Sequence, residues 1–351
     1  MNRRISAISS DNRSRETFYQ EIDQDDLAPL WTRLKGLVTQ QPAPASRAAL
    51  WNYDVVRAHL MAAGDLLTAE EAERRVLILE NPGLKGQSKI TGSLYAGLQL
   101  LLPGETAVAH RHTSAALRFI IEGKGGYTAV DGERTLMERG DFVITPSWTW
   151  HDHGNETSEP VIWLDGLDLH MVNLFDASFF EHYPENGVPR LRADHDCEFR
   201  YGHSMLPADQ KSVGRSSPLL NYRYGPAREA LAVIARNGPI DPHHGFRLNY
   251  VNPVTGGAVM PTINASLQVI PAGLETESYS STDSSVFLVV EGTGRSTIGD
   301  VTLSWKPNDI FVVPSWATRR HNANEDAVLF SFSDRVAQES LGIWREHRSA
   351  S

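Results

Sequence analysis

His110 and His112 stand one residue apart, and His151 follows 39 residues later in the run Trp148-Thr-Trp-His-Asp-His153. On a β-strand, residues two apart project from one face, so the first two imidazoles point the same way. Gly140-Asp141 and Pro146, just before the third, read as a turn and the start of another strand. Imidazole is the commonest side-chain ligand for a divalent transition metal. Three of them from neighbouring strands would give an ion three fixed bonds and leave positions open, as chemistry at a metal requires. A lone buried histidine is more often a hydrogen-bonded core residue, and an HxH pair alone is a weak signal. The third histidine in a matching turn-and-strand context tips the reading to a metalloenzyme.

The elements that must hold these residues change character along the chain. Residues 14–80 are expected to be helical: helix formers dominate 16–22, 26–38 and 68–73, Pro42 and Pro44 interrupt them, and Thr68 and Glu71 have capping-box spacing. From about Ser88 onward, short alternating runs punctuated by glycine and proline read as strands, at 94–102, 117–121, 142–145 and 161–164.

The chain then repeats itself. Gln99-Leu-Leu-Leu-Pro-Gly104 has a partner in Gln268-Val-Ile-Pro-Ala-Gly273, Glu122-Gly123 in Glu291-Gly292, and Gly125 in Gly294. Asp141 and Pro146-Ser-Trp148 have partners in Asp309 and Pro314-Ser-Trp316, the offset passing from 169 to 168 residues. Two copies of one all-β unit follow, the later expected to begin near Gly257. Opposite His110, His112 and His151 stand Tyr279, Ser281 and Arg319; opposite Arg118 stands Phe287; only His153 keeps its partner, His321. One metal site per chain is expected, with the second unit structural or concerned with assembly.

Composition sets outer bounds. At 351 residues the chain exceeds the usual size of one core, and its 41% hydrophobic and 22% charged residues are those of an ordinary globular protein. A net charge of −10 with no basic run argues against a nucleic-acid partner. The single cysteine, Cys197, excludes an internal disulfide framework and suits a reducing, cytoplasmic compartment. No apolar leader follows Met1-Asn-Arg-Arg4, and no run nears the about 18 apolar residues of a membrane span, so no membrane partner is expected.

The first unit resembles the cupin family. Gly104 precedes His110 and His112 by the spacing of the first cupin motif, and Gly140, Pro146, His151 and Asn155 follow the second. Two departures stand out: Ala115, Ala116 and Leu117 occupy the region of the usual glutamate, and Trp148 replaces a customary glycine. The runs Leu94-Tyr-Ala-Gly-Leu-Gln99, Ala109-His-Arg-His-Thr-Ser-Ala-Ala-Leu-Arg-Phe119 and Pro146-Ser-Trp-Thr-Trp-His-Asp-His-Gly-Asn155 are similar, more narrowly, to signatures of gentisate 1,2-dioxygenases and their salicylate-cleaving relatives. The resemblance implies two tandem cupin jelly rolls with a helical N-terminal arm. The expected division is an arm over 1–88, a metal-binding cupin over 89–190, a connecting segment over 191–256 and a degenerate cupin over 257–345. It further implies Fe(II) held by His110, His112 and His151, with O2 as co-substrate and both oxygen atoms inserted into a 2-hydroxybenzoate ring. Cleavage would fall between the carboxyl- and hydroxyl-bearing carbons, in a homotetramer.

Charge fits this chemistry. Three neutral imidazoles leave a ferrous ion its full double charge, matching a substrate that chelates through carboxylate and phenolate. Arg118 follows His112 by six residues, an even spacing that puts it on the ligand face of a regular strand. There it would pair with a substrate carboxylate or, in the plainer reading, with a buried acid. Arg74 is a substrate contact by resemblance alone, its alternative being a surface helix arginine. His153 would be an acid/base group hydrogen-bonded to substrate, although its persistence as His321 also suits a structural role. Asp165 could orient a histidine or end a strand. Gln99, Tyr95 and Gly97 would line the aromatic pocket, Gly97 leaving room for a ring substituent. Gentisate, opened to maleylpyruvate, is the expected substrate; salicylate, a 5-nitro or 5-chloro salicylate and 1-hydroxy-2-naphthoate are alternatives. A metal-binding cupin isomerase or sensor is the alternative of another class.

Overall fold

The computed structural model describes residues 14–184, 187–210 and 214–349. The chain divides into residues 1–43 and residues 44–351. In the first unit, Ser14 caps the helix Arg15–Gln24 by accepting the Thr17 N–H at 3.1 Å, and Trp31 in the helix Leu30–Leu37 donates to the Tyr19 hydroxyl at 2.9 Å.

Among its described residues, the second unit builds four antiparallel sheets in two matched pairs. One six-stranded sheet orders Asn221–Tyr222, Phe142–Thr145, Ala116–Glu122, Val161–Leu167, Tyr95–Leu101 and Val76–Ile78. Its counterpart orders Ala49–Trp51, Ile310–Val313, Ser285–Glu291, Ala327–Ser333, Asn264–Ile270 and Phe246–Asn249. Five-stranded sheets complete the two cupin barrels. The first orders Glu133–Glu138, Lys124–Val130, His151–Asn155, Thr106–His112 and Phe180–His182; the second orders Val301–Trp305, Gly294–Ile298, Arg319–Ala323, Tyr279–Ser281 and Glu346–Arg348.

The six-stranded sheets are buried on both faces, which is why their strands read as continuous apolar runs. Leu117, Phe119 and Ile121 share a core with Val328, Phe330 and Phe332 of the other barrel, and Phe119 stacks on Phe330 with ring centres 4.2 Å apart. The alternate residues turn inward: Ile120 joins Met137, Val143 and Trp163 inside the first barrel, and Leu329 joins Phe287, Trp305 and Phe311 inside the second. Strand alternation therefore places Arg118 in the barrel lumen.

Residues 49–78 are not wholly helical, and residues 221–249 are more than a connection. Each is a strand, a helix and a strand: Ala49–Trp51, Tyr53–Leu66 and Val76–Ile78 in one, Asn221–Tyr222, Tyr224–Asn237 and Phe246–Asn249 in the other. The structural repeat thus starts well before Gly257. Strands of two to four residues carry too little alternation to register in a sequence pattern. The first strand of each prefix pairs with the opposite barrel, Ala49–Trp51 with Ile310–Val313 and Asn221–Tyr222 with Phe142–Thr145. Asp309 and Asp141, matched residues of the repeat, accept the first N–H of each helix, from Tyr53 at 2.8 Å and Tyr224 at 3.1 Å.

A second reciprocal pair joins the barrels. Asp168 of the first accepts from the Ala115 N–H at 2.8 Å and from the Thr262 hydroxyl of the second at 2.6 Å. Asp334 of the second accepts from the Ser284 N–H at 2.9 Å and from the Ser93 hydroxyl at the edge of the first at 2.5 Å. Left-handed backbone recurs at matched positions too: Trp148 and Trp316 hold φ of 61° and 62°. Trp148 thus adopts a left-handed conformation that glycine reaches at lower cost. Replacing the wholly buried Phe330 by alanine is expected to lower the unfolding free energy by about 3–5 kcal/mol in a denaturant melt. Replacing the exposed Leu341 should change it by under about 0.5 kcal/mol. Equal effects would contradict the inter-barrel core.

Candidate active site

His110 and His151 lie opposite one another on paired strands, Thr106–His112 and His151–Asn155, and a bulge between Ala107 and His110 sets that register. His112 is two residues on, so all three rings enter one space. Ring centres are 4.0 Å apart for His110 and His151, 4.9 Å for His112 and His151, and 5.4 Å for His110 and His112. One nitrogen from each lies within 4.8 Å of the others.

Backbone carbonyls decide which nitrogen that is. The Nδ1 of His110 hydrogen-bonds the Val108 carbonyl at 2.8 Å, that of His112 the Ser114 carbonyl at 2.7 Å, and that of His151 the Thr149 carbonyl at 2.9 Å. A carbonyl only accepts, so each Nδ1 carries the proton and each Nε2 keeps a lone pair. The Nε2 of His151 is buried and has no partner. Burial pushes His110 down to about 3, with the Arg74 charge adding, and His112 down to about 4; His151 is also held far below its ordinary value by burial. Three neutral Nε2 donors with no carboxylate among them fit a divalent transition ion.

The cavity in front of these rings holds about 350 Å³ and is lined by Arg74, Tyr95, Gln99, Arg118, His153 and Asp165, with Val76, Ile78, Ala116, Leu167 and Leu169 as its apolar wall. Asp165 lies opposite Arg118 in strand register. It accepts from Trp163 Nε1 at 2.9 Å and faces Arg118 Nε at 3.5 Å. It therefore orients Arg118 and not a histidine, a task the carbonyls perform instead. Burial drives Asp165 up to about 6 against the opposing Arg118 charge, and drives Arg118 down to about 10. Arg118 donates from Nη1 to the Thr145 hydroxyl at 2.5 Å, so both sequence readings of Arg118 hold part of the geometry: it has a buried acid and it faces the lumen.

Arg74 is not a surface helix residue. The helix Ala69–Ala72 ends before it, Glu73 turns the chain with φ of 48°, and Arg74 enters the cavity with its guanidinium 5.6 Å from the Phe180 ring. His153 lies two residues beyond His151, with Nδ1 3.0 Å from the Thr128 hydroxyl and its ring 5.6 Å from Trp163. Gly97 is absent from the lining. A Cβ there would meet Val76 Cγ1 at 2.6 Å and the Tyr95 hydroxyl at 3.1 Å, so its missing side chain makes room for those residues and not directly for a ring substituent.

Sequence reasoning missed Val76 and Ile78, which lie in a stretch expected to be helical; the β-branched pair flanking Leu77 was the available signal. It also missed Phe180, stacked on His110 with ring centres 5.6 Å apart. Nothing in its local sequence marks that contact, because its strand is three residues long and joins the sheet across 70 residues of chain.

The Cupin domain family profile matches residues 97–167. Gentisate 1,2 dioxygenase 1 of Aquipseudomonas alcaligenes is 54% identical over 337 residues, covering 96% of this chain and 97% of that protein. A 5-aminosalicylate 1,2-dioxygenase of a Comamonas species is 36% identical, covering 95% of this chain and 90% of that protein. The crystal structure of salicylate 1,2-dioxygenase from Pseudoaminobacter salicylatoxidans in adducts with gentisate superposes with a TM-score of 0.92 at 32% identity, covering 99% of this chain and 97% of that one. With identity at this level sustained along almost its whole length, the chain belongs to the bicupin family of gentisate and salicylate 1,2-dioxygenases.

Proposed function

We propose that this chain is a ring-cleaving dioxygenase that opens gentisate to maleylpyruvate, with Fe(II) held by His110, His112 and His151. The observation that carries this reading is the cavity itself: three neutral Nε2 donors without a carboxylate, facing two guanidiniums. The relative at 54% identity supports gentisate over salicylate, its 5-substituted forms and 1-hydroxy-2-naphthoate. Ferrous iron held by these three rings would supply Lewis-acid binding of a substrate that chelates through carboxylate and phenolate, and electronic coupling of its electron-rich ring to O2.

The protein's own groups do the rest. Arg118, steadied by Asp165 and Thr145, presents its guanidinium to the substrate carboxylate, and Arg74 adds a second positive charge in the same cavity. Asp165 offsets one of these charges, so the cavity does not present two uncompensated cations. His153, anchored through Nδ1 by Thr128, offers Nε2 to the substrate's ring hydroxyl and holds or releases a proton there. Tyr95, Gln99, Val76 and Ile78 bound the ring and exclude water.

The same proposal covers the division into an arm, two cupins and a connection, amended by the strand–helix–strand prefixes. It also covers a cytoplasmic homotetramer. Exposed Leu30, Trp31, Leu34 and Leu37 on the second helix of the N-terminal unit support subunit contacts there. Among the described residues, no helix is long and apolar enough to cross a membrane.

Anaerobically iron-loaded protein should consume O2 with gentisate and develop ring-fission absorbance faster than with salicylate, 5-substituted salicylates or 1-hydroxy-2-naphthoate; no uptake with any of them would end the dioxygenase reading. His151→Ala should lose bound iron and about 10³-fold or more in turnover while keeping its circular dichroism. Arg118→Met should raise KM for gentisate about tenfold or more, with Arg118→Lys between the two. Unfolded histidines charge near pH 6.5 while the buried rings stay neutral, so the unfolded chain binds more protons as pH falls from about 6.5 toward 4. Stability of the metal-free protein should therefore fall across that window and level off above it. His151→Ala should reduce the slope by about one proton; an unchanged slope would contradict the neutral-ring picture.

A further inference from the structure

The second barrel has lost the imidazoles and gained buried positive charge. Gln268 stands for Gln99, Tyr279 for His110, Phe287 for Arg118, Arg319 for His151 and His321 for His153. Arg247 lies opposite Gln268 in register just as Val76 lies opposite Gln99. Arg319 is 4% exposed and stacks over Tyr279 at 4.6 Å and Phe287 at 5.5 Å. Among the described residues its guanidinium has no hydrogen-bond partner, and its Nε is sealed from solvent. Among the described residues, the Arg247 guanidinium donates only to the Ser266 hydroxyl, at 3.0 Å. Asp283 is the acid whose charge reaches both guanidiniums, yet it lies outside ion-pair distance and accepts from Trp344 Nε1 at 2.9 Å. One carboxylate cannot balance two cations.

The neighbouring orphans are donors. Trp305 Nε1 donates to the Ser296 hydroxyl oxygen at 2.9 Å, and His321 Nδ1 lies 2.8 Å from the same hydroxyl, in place to take its remaining proton. The proton of the neutral His321 ring then sits on Nε2, which has no partner. Gln268 Nε2 is likewise buried and unpartnered, as is Nδ1 of His244, whose ring packs 4.5 Å from Tyr279. Water can satisfy such donors but leaves the charge in place.

We propose that the lumen of the second barrel is a binding site for a compact monoanion, a carboxylate or a halide, gripped by Arg319 and Arg247 with His321 and Gln268 donating to it. Iron-loaded protein in chloride-free buffer is titrated calorimetrically with sodium formate and with sodium bromide, and crystals are soaked in bromide for anomalous scattering. Binding is expected to survive Arg118→Met in the first barrel and to weaken about tenfold or more in Arg319→Met. Bromide density is expected between Arg319 and Arg247. Should Arg319→Met fail to fold, Arg247→Gln must show the weakening. Formate heat without bromide heat identifies a carboxylate site, and the reverse a halide site. Heat unchanged by either second-barrel variant, or no heat and no bromide peak there, overturns the proposal.

Discussion

Keeping three imidazoles uncharged at the bottom of a lumen is the constraint on which the rest of the structure turns. A protonated ring would bind no cation, and three of them would repel one another in a medium of low polarity. Two devices hold them neutral. The barrel withdraws them from water, and each Nδ1 is tied to a backbone carbonyl within two residues. Because the partners are backbone groups two residues away in sequence, local strand geometry alone fixes which nitrogen is presented. That leaves Asp165 free for another task, steadying Arg118.

The site therefore depends on the strands keeping their register, and the second barrel helps ensure it. Phe330 and Phe332 press on the outer face of the sheet whose inner face carries Arg118. A slip of one residue would exchange Arg118 with Phe119, placing a guanidinium in the inter-barrel core. The second barrel thus stabilises the register of the first through packing, while Asp168 and Asp334 bind each barrel to a residue just ahead of a strand of the other.

Much of this was legible in the chain itself. The spacing of His110 and His112 located one face of a strand, and the glycines and aspartates held at one offset exposed the duplication; Arg118 does not continue that strand, which ends at His112, but reaches the same lumen from the next one, Ala116–Glu122, in the other sheet. Two kinds of feature stayed hidden. The strands of the prefixes at 49–78 and 221–249 are too short to show a period, and the partners of Ala49–Trp51 lie up to 263 residues away, where no local pattern can point. The roles of Asp165 and Gly97 depended on what stands opposite each in a sheet. Asp165 looked like an orienter of histidine because carboxylates often are; register gave it an arginine instead. Gly97 looked like open space, but a neighbouring strand fills it with Val76.

The swapped prefix strands bear on synthesis. Ala49–Trp51 leaves the ribosome some 260 residues before its partner Ile310–Val313, and the edge Phe142–Thr145 waits about 80 residues for Asn221–Tyr222. An N-terminal barrel halted before residue 221 carries a bare sheet edge, and the earliest strand has nowhere to dock until the chain is nearly finished. Completion of the first barrel's sheet is thereby deferred to residue 222 and that of the second nearly to the end of translation, which makes the nascent chain dependent on protection from its own exposed edges longer than two independent jelly rolls would be.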